Sequence, residues 1–436
     1  PRQGDPLTPN PSPPKRGRGE PENSMKILHT ADWHLNDRLG RIDRTDDLRA
    51  AVERVAVQCR ETKADVLLVA GDLFSEQARP DALRETIAHW NDAFAGFLSG
   101  GGTIVAITGN HDNETFCQTL CSAMALASPA VGKPGDLVPA GRLYLAADPT
   151  WLRLRDPRDG FDVPFVLMPF PTPAHYLRGD VAPKYTDPDE KGKAMSLAFD
   201  ERLRELVASP DFDPTAPAVL AAHVHLWGAK VGPSLFRITE QQDVVVDGGA
   251  MADRFAYVAL GHIHKPQYLM DRKHVRYSGS IERLDLGERD DAKGTVLFEL
   301  GPKGVVGEIV TLPVPSTAVY EVTVVDPSVD LPRLKAESPN AERDLVNLHV
   351  RYTAGRDNLE AVLRELDKIF PRWYARDWEE TGRLIDGTLA EPEADRTKGF
   401  AETVREYLGQ ELIQYPDADR DAILALAEDL LGDSPE

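Results

Sequence analysis

The sequence predicts an α/β fold of two packed sheets flanked by helices, followed by a small α+β unit and a C-terminal helix pair. Three observations carry this. From Met25 onward, short apolar runs bounded by glycine and polar residues alternate with stretches of helical period. The later apolar runs crowd together, which suggests a second sheet packed on the first. After Pro313-Val314-Pro315 the register changes and a separate set of elements begins.

Taken in order, Ile27-Leu28, Val66–Ala70 and Ile104–Ile107 read as buried strands, because strands covered on both faces are apolar throughout. Between them, Leu48, Val52, Val55, Ala56 and Cys59 recur at helical spacing, as do Leu83, Ile87, Trp90, Phe94 and Phe97. Further strands are predicted at 165–170, 218–225, 257–264, 275–277 and 295–300, with a helix around 197–206 leading into the strand before His223. The small unit holds strands at 319–325, 345–352 and 373–378 and a helix at 359–370. Its aromatic residues Trp373, Tyr374 and Trp378 read as core rather than as a base-stacking platform.

Two helices close the chain. One carries Phe400, Val404, Tyr407, Leu408 and Leu412; the other carries Ile423, Leu424, Ala427, Leu430 and Leu431, with Asp417 or Asp419 as N-cap. The domain plan is therefore an extension over 1–24, a main domain over 25–312, a small domain over 316–380, a polar linker over 381–398 and a helix pair over 399–431. Residues 1–24 are rich in Pro, Gly and Arg and lack the apolar core of a signal peptide. They read as disordered, with Met25 as the natural start and the preceding residues an over-extended reading frame.

At 436 residues the chain is too long for one ordinary domain. Its 42% hydrophobic and 28% charged residues suit a globular protein, and no run of apolar residues is long enough to span a membrane. Three cysteines, Cys59, Cys117 and Cys121, cannot build a disulfide framework or a thiolate zinc site; they read as thiols in a reducing cytoplasm. The net charge of −21 argues against coating nucleic acid by bulk electrostatics, though not against a local basic groove. Much of the acidity is local: residues 391–436 carry 13 acidic against 4 basic side chains.

Six short segments close predicted strands with chemistry-bearing residues. They are Asp32-Trp33-His34, Gly71-Asp72, Gly109-Asn110-His111-Asp112, Ala222-His223, Gly261-His262-Ile263-His264 and, as a substrate loop, Tyr277-Ser278-Gly279-Ser280. Residues at the C-terminal ends of adjacent strands converge on one crevice. The Asp-x-His spacing places Asp32 and His34 on one face of an extended segment, so they can chelate one ion. His262 and His264 can do the same or divide between two ions. Asp72, after an apolar strand and a glycine, is poised to bridge two cations, while Asn110 offers a neutral carbonyl oxygen and His223 another imidazole. Nitrogen and oxygen donors without thiolate suit manganese, iron or zinc better than calcium, with manganese favoured. A two-metal centre of this kind is hydrolytic apparatus for phosphate esters.

These motifs, together with His29-Thr30-Ala31 before Asp32, Leu73-Phe74 after Asp72 and Lys265-Pro266-Gln267 after His264, resemble the calcineurin-like metallophosphoesterases. More narrowly they resemble the SbcD-type nuclease subunits of bacterial DNA double-strand-break repair. The resemblance implies a two-sheet sandwich with a capping domain that contacts DNA, here 316–380. It also implies one metal on Asp32, His34, Asp72 and His264, and a second on the shared Asp72 with Asn110, His223 and His262. His111 is then a catalytic group near the scissile phosphate, oriented by Asp112. The terminal helices match the segment that grips an SbcC-type coiled-coil ATPase. A homodimer through helices near 81–128, within a heterotetramer, is likewise implied. One departure stands out: where relatives often place His soon after the bridging Asp, this chain has Phe74-Ser75-Glu76.

Other roles compete at single positions. Alone, His34 or His223 would more often be a packed or surface histidine than a ligand; membership of an ordered set reverses that. His225 reads as a bystander, and Asp112 could simply cap the helix that follows it. Lys265, Ser278, Ser280 and Arg283 are the candidate substrate contacts. Lys265 is favoured for a DNA phosphate, while Glu282 and Arg283 stand evenly between a solvated pair and an approach to the backbone.

The leading expectation is a cytoplasmic, nucleoid-associated DNA nuclease subunit. The resemblance implies 3′→5′ exonuclease and endonuclease activity on DNA ends and hairpins. No G-x-x-x-x-G-K-S/T occurs in the sequence, so any ATPase is a separate chain. A phosphodiesterase or phosphatase on a small phosphate ester would keep the same metals but has no need of the region beyond 316. A non-catalytic adaptor that tethers DNA ends has no need of the ligands.

Overall fold

The computed structural model describes residues 24–76, 78–127, 133–158, 160–177, 187–232, 244–385 and 388–390, together with Leu408, Ile423, Leu424 and Ala427. The four last residues are helical, and the rest of the expected helix pair lies outside the described residues, as do residues 1–23 and most of the expected linker.

The chain opens with β1 (Met25–Thr30), a hairpin of β2 (Arg38–Leu39) and β3 (Ile42–Asp43), and α1 (Thr45–Thr62). It continues through β4 (Val66–Ala70), α2 (Pro80–Ser99), β5 (Thr103–Ile107), α3 (Glu114–Ala127) and β6 (Leu143–Ala146). A second series follows: β7 (Thr150–Arg155), β8 (Asp162–Met168), α4 (Pro173–Tyr176), α5 (Pro188–Val207), β9 (Val219–His223), β10 (His225–Leu226) and β11 (Val245–Val246). Then come α6 (Gly249–Arg254), β12 (Tyr257–Gly261), β13 (Gln267–Leu269), β14 (Arg272–Tyr277), β15 (Gly294–Gly301) and β16 (Gly304–Pro313).

Two six-stranded sheets result, ordered β16-β15-β1-β4-β5-β6 and β13-β14-β12-β9-β8-β7. The first is parallel from β1 through β6 and antiparallel only where β15 and β16 join it, whereas the second has a parallel centre closed on both edges by antiparallel pairs, β7 with β8 and β13 with β14. The parallel centres explain the continuous apolar runs, since both faces are covered. Between the sheets lie Ile27, Leu68, Val105, Phe165, Val219, Tyr257 and Phe298. There the Tyr257 and Phe298 rings stack at 3.7 Å. Outside the first sheet, α1 and α2 bury Leu48, Val52, Val55, Leu83, Trp90 and Phe94. Outside the second, Met195, Phe199, Leu203 and Met251 cover the strands. This is a two-sheet sandwich flanked by helices, as the sequence predicts.

The remaining elements are β17 (Val319–Val324), α7 (Pro327–Glu337), β18 (Leu345–Ala354), α8 (Leu359–Ile369), β19 (Trp373–Ile385) and β20 (Thr388–Ala390), whose strands form one sheet in the order β17-β18-β19-β20. The chain divides into two compact units. One comprises the described residues of Pro1–Val322 with Ser338–Leu348 and Asp367–Arg376; the other comprises those of Thr323–Glu337, His349–Leu366 and Asp377–Glu436. That division interleaves parts of the expected 316–380 domain with the first unit.

Two expectations need correcting here. β19 runs on to Ile385 and β20 follows, so residues expected to begin a linker at 381 are strand. Trp378 is 52% exposed and is not core. Trp373 is half-buried, held between the guanidinium groups of Arg41 and Arg376 at 4.0 and 4.2 Å.

Candidate metal centre

The site lies just beyond the C-terminal ends of β1, β4, β5, β9 and β12. Asp32 and His34 were expected on an extended segment, but β1 ends at Thr30 and both residues take left-handed backbone, with φ of 53° and 44°. Asp72 (φ 52°) and His262 (φ 93°) do the same. Left-handed conformations are costly for residues with a side chain and persist where the surroundings over-determine them. Here the main chain does so: Asp32 N–H donates to Gly71 O at 3.0 Å, and Trp33 and His34 N–H groups donate to Asp72 O at 2.8 and 3.0 Å. These bonds lock the first and second motifs together and turn their side chains into one pocket.

Asp32, His34, Asp72 and His264 each offer a donor atom, and these atoms all lie within 4.8 Å of one another. Asp72 Oδ2 is 3.4 Å from His34 Nε2 and 3.3 Å from His223 Nε2. Across that carboxylate, Asn110 Oδ1 is 3.1 Å from His223 Nε2 and 2.9 Å from His262 Nδ1. Asp72 thus stands between two groups of donors. Asp32, His34, Asp72, His223 and His262 are all buried.

Two glycines admit this closeness. A Cβ on Gly71, at φ 95°, would sit 2.1 Å from His223 Nδ1, and one on Gly109 would sit 2.1 Å from Asp72 Oδ1. Any side chain there would displace a donor.

The electrostatics fit a divalent cation. Burial pushes the Asp32 carboxyl up, and its Oδ2 is buried with no hydrogen-bond partner. Burial acts on Asp72 in the same sense, but the imidazoles of His223 and His34 overcome it and hold that carboxyl well below its usual range. Burial would lower His223, yet the Asp72 charge raises it to about 9. Buried carboxylates balanced by imidazolium protons, with an orphaned oxygen among them, are what a cation would satisfy while displacing protons. The Nδ1–H of His223 donates to Ala70 O at 2.7 Å, which leaves Nε2 facing Asp72 and Asn110.

His111 borders this pocket. Its backbone N–H donates to Asp72 Oδ1 at 2.9 Å, its ring lies 4.9 Å from that of His34, and its side chain is 18% exposed. Its Nδ1 stands 3.8 Å from the carboxylate of Glu76, at the departure from the family pattern noted above.

Asp112 does not orient His111 as expected. Its two oxygens accept the backbone N–H groups of Leu73, Phe74 and Gly109 at 3.2, 2.8 and 2.8 Å, clasping the second and third motifs together. Burial, with the charge of Asp72 adding, pushes its carboxyl up to about 7.

Of the four expected substrate contacts, Lys265 is half-exposed beside His264. The others turn inward. Ser278 and Ser280 are buried, their hydroxyls donating to Gly279 O and to Glu282 O and Glu288 Oε2. Arg283 donates to the carbonyls of Ser316, Thr317 and Asp291, while Glu282 accepts the N–H groups of Arg283 and Thr317. Both terminal nitrogens of Arg283 and one oxygen of Glu282 are thus bonded to the main chain, and the other Glu282 oxygen lies 3.3 Å from Thr317 Oγ1.

The sequence reading missed Glu288. It ends the 3-10 turn Leu286–Glu288 and is buried. Burial pushes its carboxyl up, but the Lys293 ammonium and His264 hold it well below the usual range. No motif or periodicity marks it; only its short distance in sequence from His264 could have drawn attention.

With this geometry in place, comparison with known proteins is specific. Residues 25–266 match the family described as calcineurin-like phosphoesterase. The chain is 26% identical to the SbcD subunit of nuclease SbcCD from Bacillus subtilis (strain 168) over 283 residues, covering 64% of this chain and 67% of that one. Two solved structures, TT1561 of Thermus thermophilus and a dimetal phosphatase from Danio rerio, are 13% and 11% identical. Each is matched over 67% of this chain and 100% of its own length at a TM-score of 0.36, too low to weigh on the fold. The match over residues 25–266 covers more than half of the sequence and includes every proposed ligand, and on it this chain belongs to the calcineurin-like phosphoesterases.

Proposed function

We propose that this chain is the metal-dependent DNA nuclease subunit of an SbcC–SbcD-type complex, acting as 3′→5′ exonuclease and endonuclease on DNA ends and hairpins. The observation that carries the reading is the position of Asp72 between two groups of donors, one of His34, Asp32 and His264, the other of His223, Asn110 and His262. Similarity to a relative named as a nuclease subunit supports the choice of DNA over a small ester.

Asp32, His34, Asp72 and His264 would hold one divalent ion, and Asp72, Asn110, His223 and His262 the other, with manganese favoured. Bound there, the ions supply Lewis acidity to the phosphate ester and activate water. The protein's own part is orientation. Asp112 and the left-handed turns fix the donors, His111 stands at the open side to protonate the departing alkoxide, and Lys265 steadies a neighbouring phosphate.

The partners are DNA, an SbcC-type coiled-coil ATPase bound through residues 399–431, and a second copy of this chain. The stretch that includes α2 and α3 is the dimerisation region; much of α3 is exposed, Leu126 to 92%. Among the described residues, no helix is long and apolar enough to cross a membrane. Cys59 and Cys117 are buried and Cys121 half-buried as free thiols.

The test is hydrolysis of end-labelled duplex and hairpin DNA by the purified chain with manganese, with and without the ATPase. Stepwise release of 3′ nucleotides and hairpin opening stimulated by the ATPase and ATP are expected. Turnover of a small phosphodiester with no action on DNA under either condition would overturn the reading.

A further inference from the structure

Four contacts converge on the buried carboxylate of Glu288. Its Oε1 lies 2.8 Å from His264 Nδ1. Its Oε2 meets Lys293 Nζ at 2.6 Å, Ser280 Oγ at 3.0 Å and the Leu284 N–H at 3.3 Å. The same two neighbours pin the backbone of the ligand: Lys293 Nζ donates to His264 O at 3.0 Å, and the Ser280 N–H donates to it at 3.2 Å. The Lys293 side chain is fully buried, so the ion pair is shielded from solvent. A buried ion pair is weak evidence for stability. This one is aimed at a histidine whose other nitrogen faces Asp32, His34 and Asp72.

We infer that Glu288 is a positioning residue for metal binding, holding His264 as its Nδ1–H tautomer so that its Nε2 lone pair would serve a divalent ion. A carboxylate accepts only, so the proton on the shared axis belongs to Nδ1. Nε2 is then left bare, and the negative partner makes it more basic. His223 differs, because its Nδ1–H rests on the neutral carbonyl of Ala70. An ion held by Asp32, His34, Asp72 and His264 would therefore feel the buried charge of Glu288 through His264. The inference rests on the two-metal reading above and extends it to a residue outside the ligand set.

Glu288→Gln keeps the shape but removes the charge and sets an amide N–H against the Lys293 ammonium. Loss of such an outer partner weakens metal binding by about 10–100-fold. Manganese titration of the full chain, followed calorimetrically and by electron paramagnetic resonance, should show that loss at one of two sites. Glu288→Asp should recover part of it. A separate readout needs neither variant nor metal: nitrogen-15 NMR of the histidine rings in the apo wild-type chain should find His264 protonated at Nδ1. A purely structural Glu288 would lower the melting temperature of Glu288→Gln while leaving manganese affinity unchanged, and that result overturns the inference alone. An Nε2–H tautomer for His264 in the wild type overturns it as well. A wild-type chain that takes up no divalent ion would bring down the metal reading together with it.

Discussion

The Nε2 atoms of His34 and His264 face one another at 3.1 Å across 230 residues of sequence. Two ring nitrogens this close cannot both carry protons, so at least one offers its lone pair to the space that Asp72 Oδ2 also faces, 3.4 Å from His34 Nε2. A pocket of buried carboxylates and imidazoles, balanced by protons that a cation can displace, is a cation site in its electrostatics as well as its residue types. The predictions below follow from that arrangement and from the clasp that maintains it.

His111 touches the pocket with its backbone and holds its ring at the exposed side. Replacing it with alanine should leave metal content and DNA affinity nearly intact and lower turnover by about 10²–10⁴-fold, the usual range for a general acid. Metal analysis beside single-turnover kinetics checks this. Loss of an ion would make His111 a ligand.

Asp112→Ala removes the acceptor of three backbone amides in a buried joint. Leaving a buried amide N–H without its acceptor costs about 1–3 kcal/mol, and such losses are not additive, so a loss of about 3 kcal/mol is expected. Denaturant unfolding should show it, with metal affinity falling as a consequence. An unchanged midpoint would mean that the joint is held elsewhere.

Away from the site, His175 Nδ1 is 2.7 Å from Asp148 Oδ1, and its Nε2 is 3.4 Å from Glu114 Oε1. The hydrogen bond and charge of Asp148 raise the His175 pKa, and the bond to His175 holds Asp148 below its usual value. A raised histidine contributes stability fully below its unfolded pKa of about 6.5 and loses it as pH rises through the folded value. A lowered carboxyl contributes above about 3.9 and loses it as pH falls through its own folded value. The pair therefore stabilises most between about pH 4 and 6.5. Melting curves should show His175→Gln lagging the wild type at pH 5.5 and approaching it by pH 8. Equal gaps at both values would contradict the pairing.

Truncation after Ala390 should retain manganese-dependent cleavage of DNA and abolish co-purification with the ATPase. The sequence places two apolar stripes in the segment removed, the pattern by which a helix pair recognises a partner. Unaltered capture of the ATPase by the truncated chain would assign that contact elsewhere.

The sequence conveyed most where one physical rule dominates. Val66–Ala70 and Thr103–Ile107 are buried on both faces, so their apolar runs announced them. Each proposed ligand follows such a run or ends it, so convergence could be argued without coordinates. What escaped notice depends on the third dimension. The left-handed turns at Asp32 and Asp72 are imposed by hydrogen bonds between motifs 40 residues apart (72 − 32), not by local propensity. Arg283 looked available for phosphate because three main-chain carbonyls that occupy it come from residues 291, 316 and 317. Trp373–Ile385 was cut short because its second half, Glu379-Glu380-Thr381-Gly382-Arg383, is polar enough to pass for a linker.

The most direct measurement is the metal stoichiometry of Asp72→Ala. One oxygen of Asp72 faces both His34 and His223, so its loss should lower bound manganese from about two equivalents to at most one weak equivalent and abolish hydrolysis. Two tightly bound ions in that variant would contradict the bridging role on which this account depends.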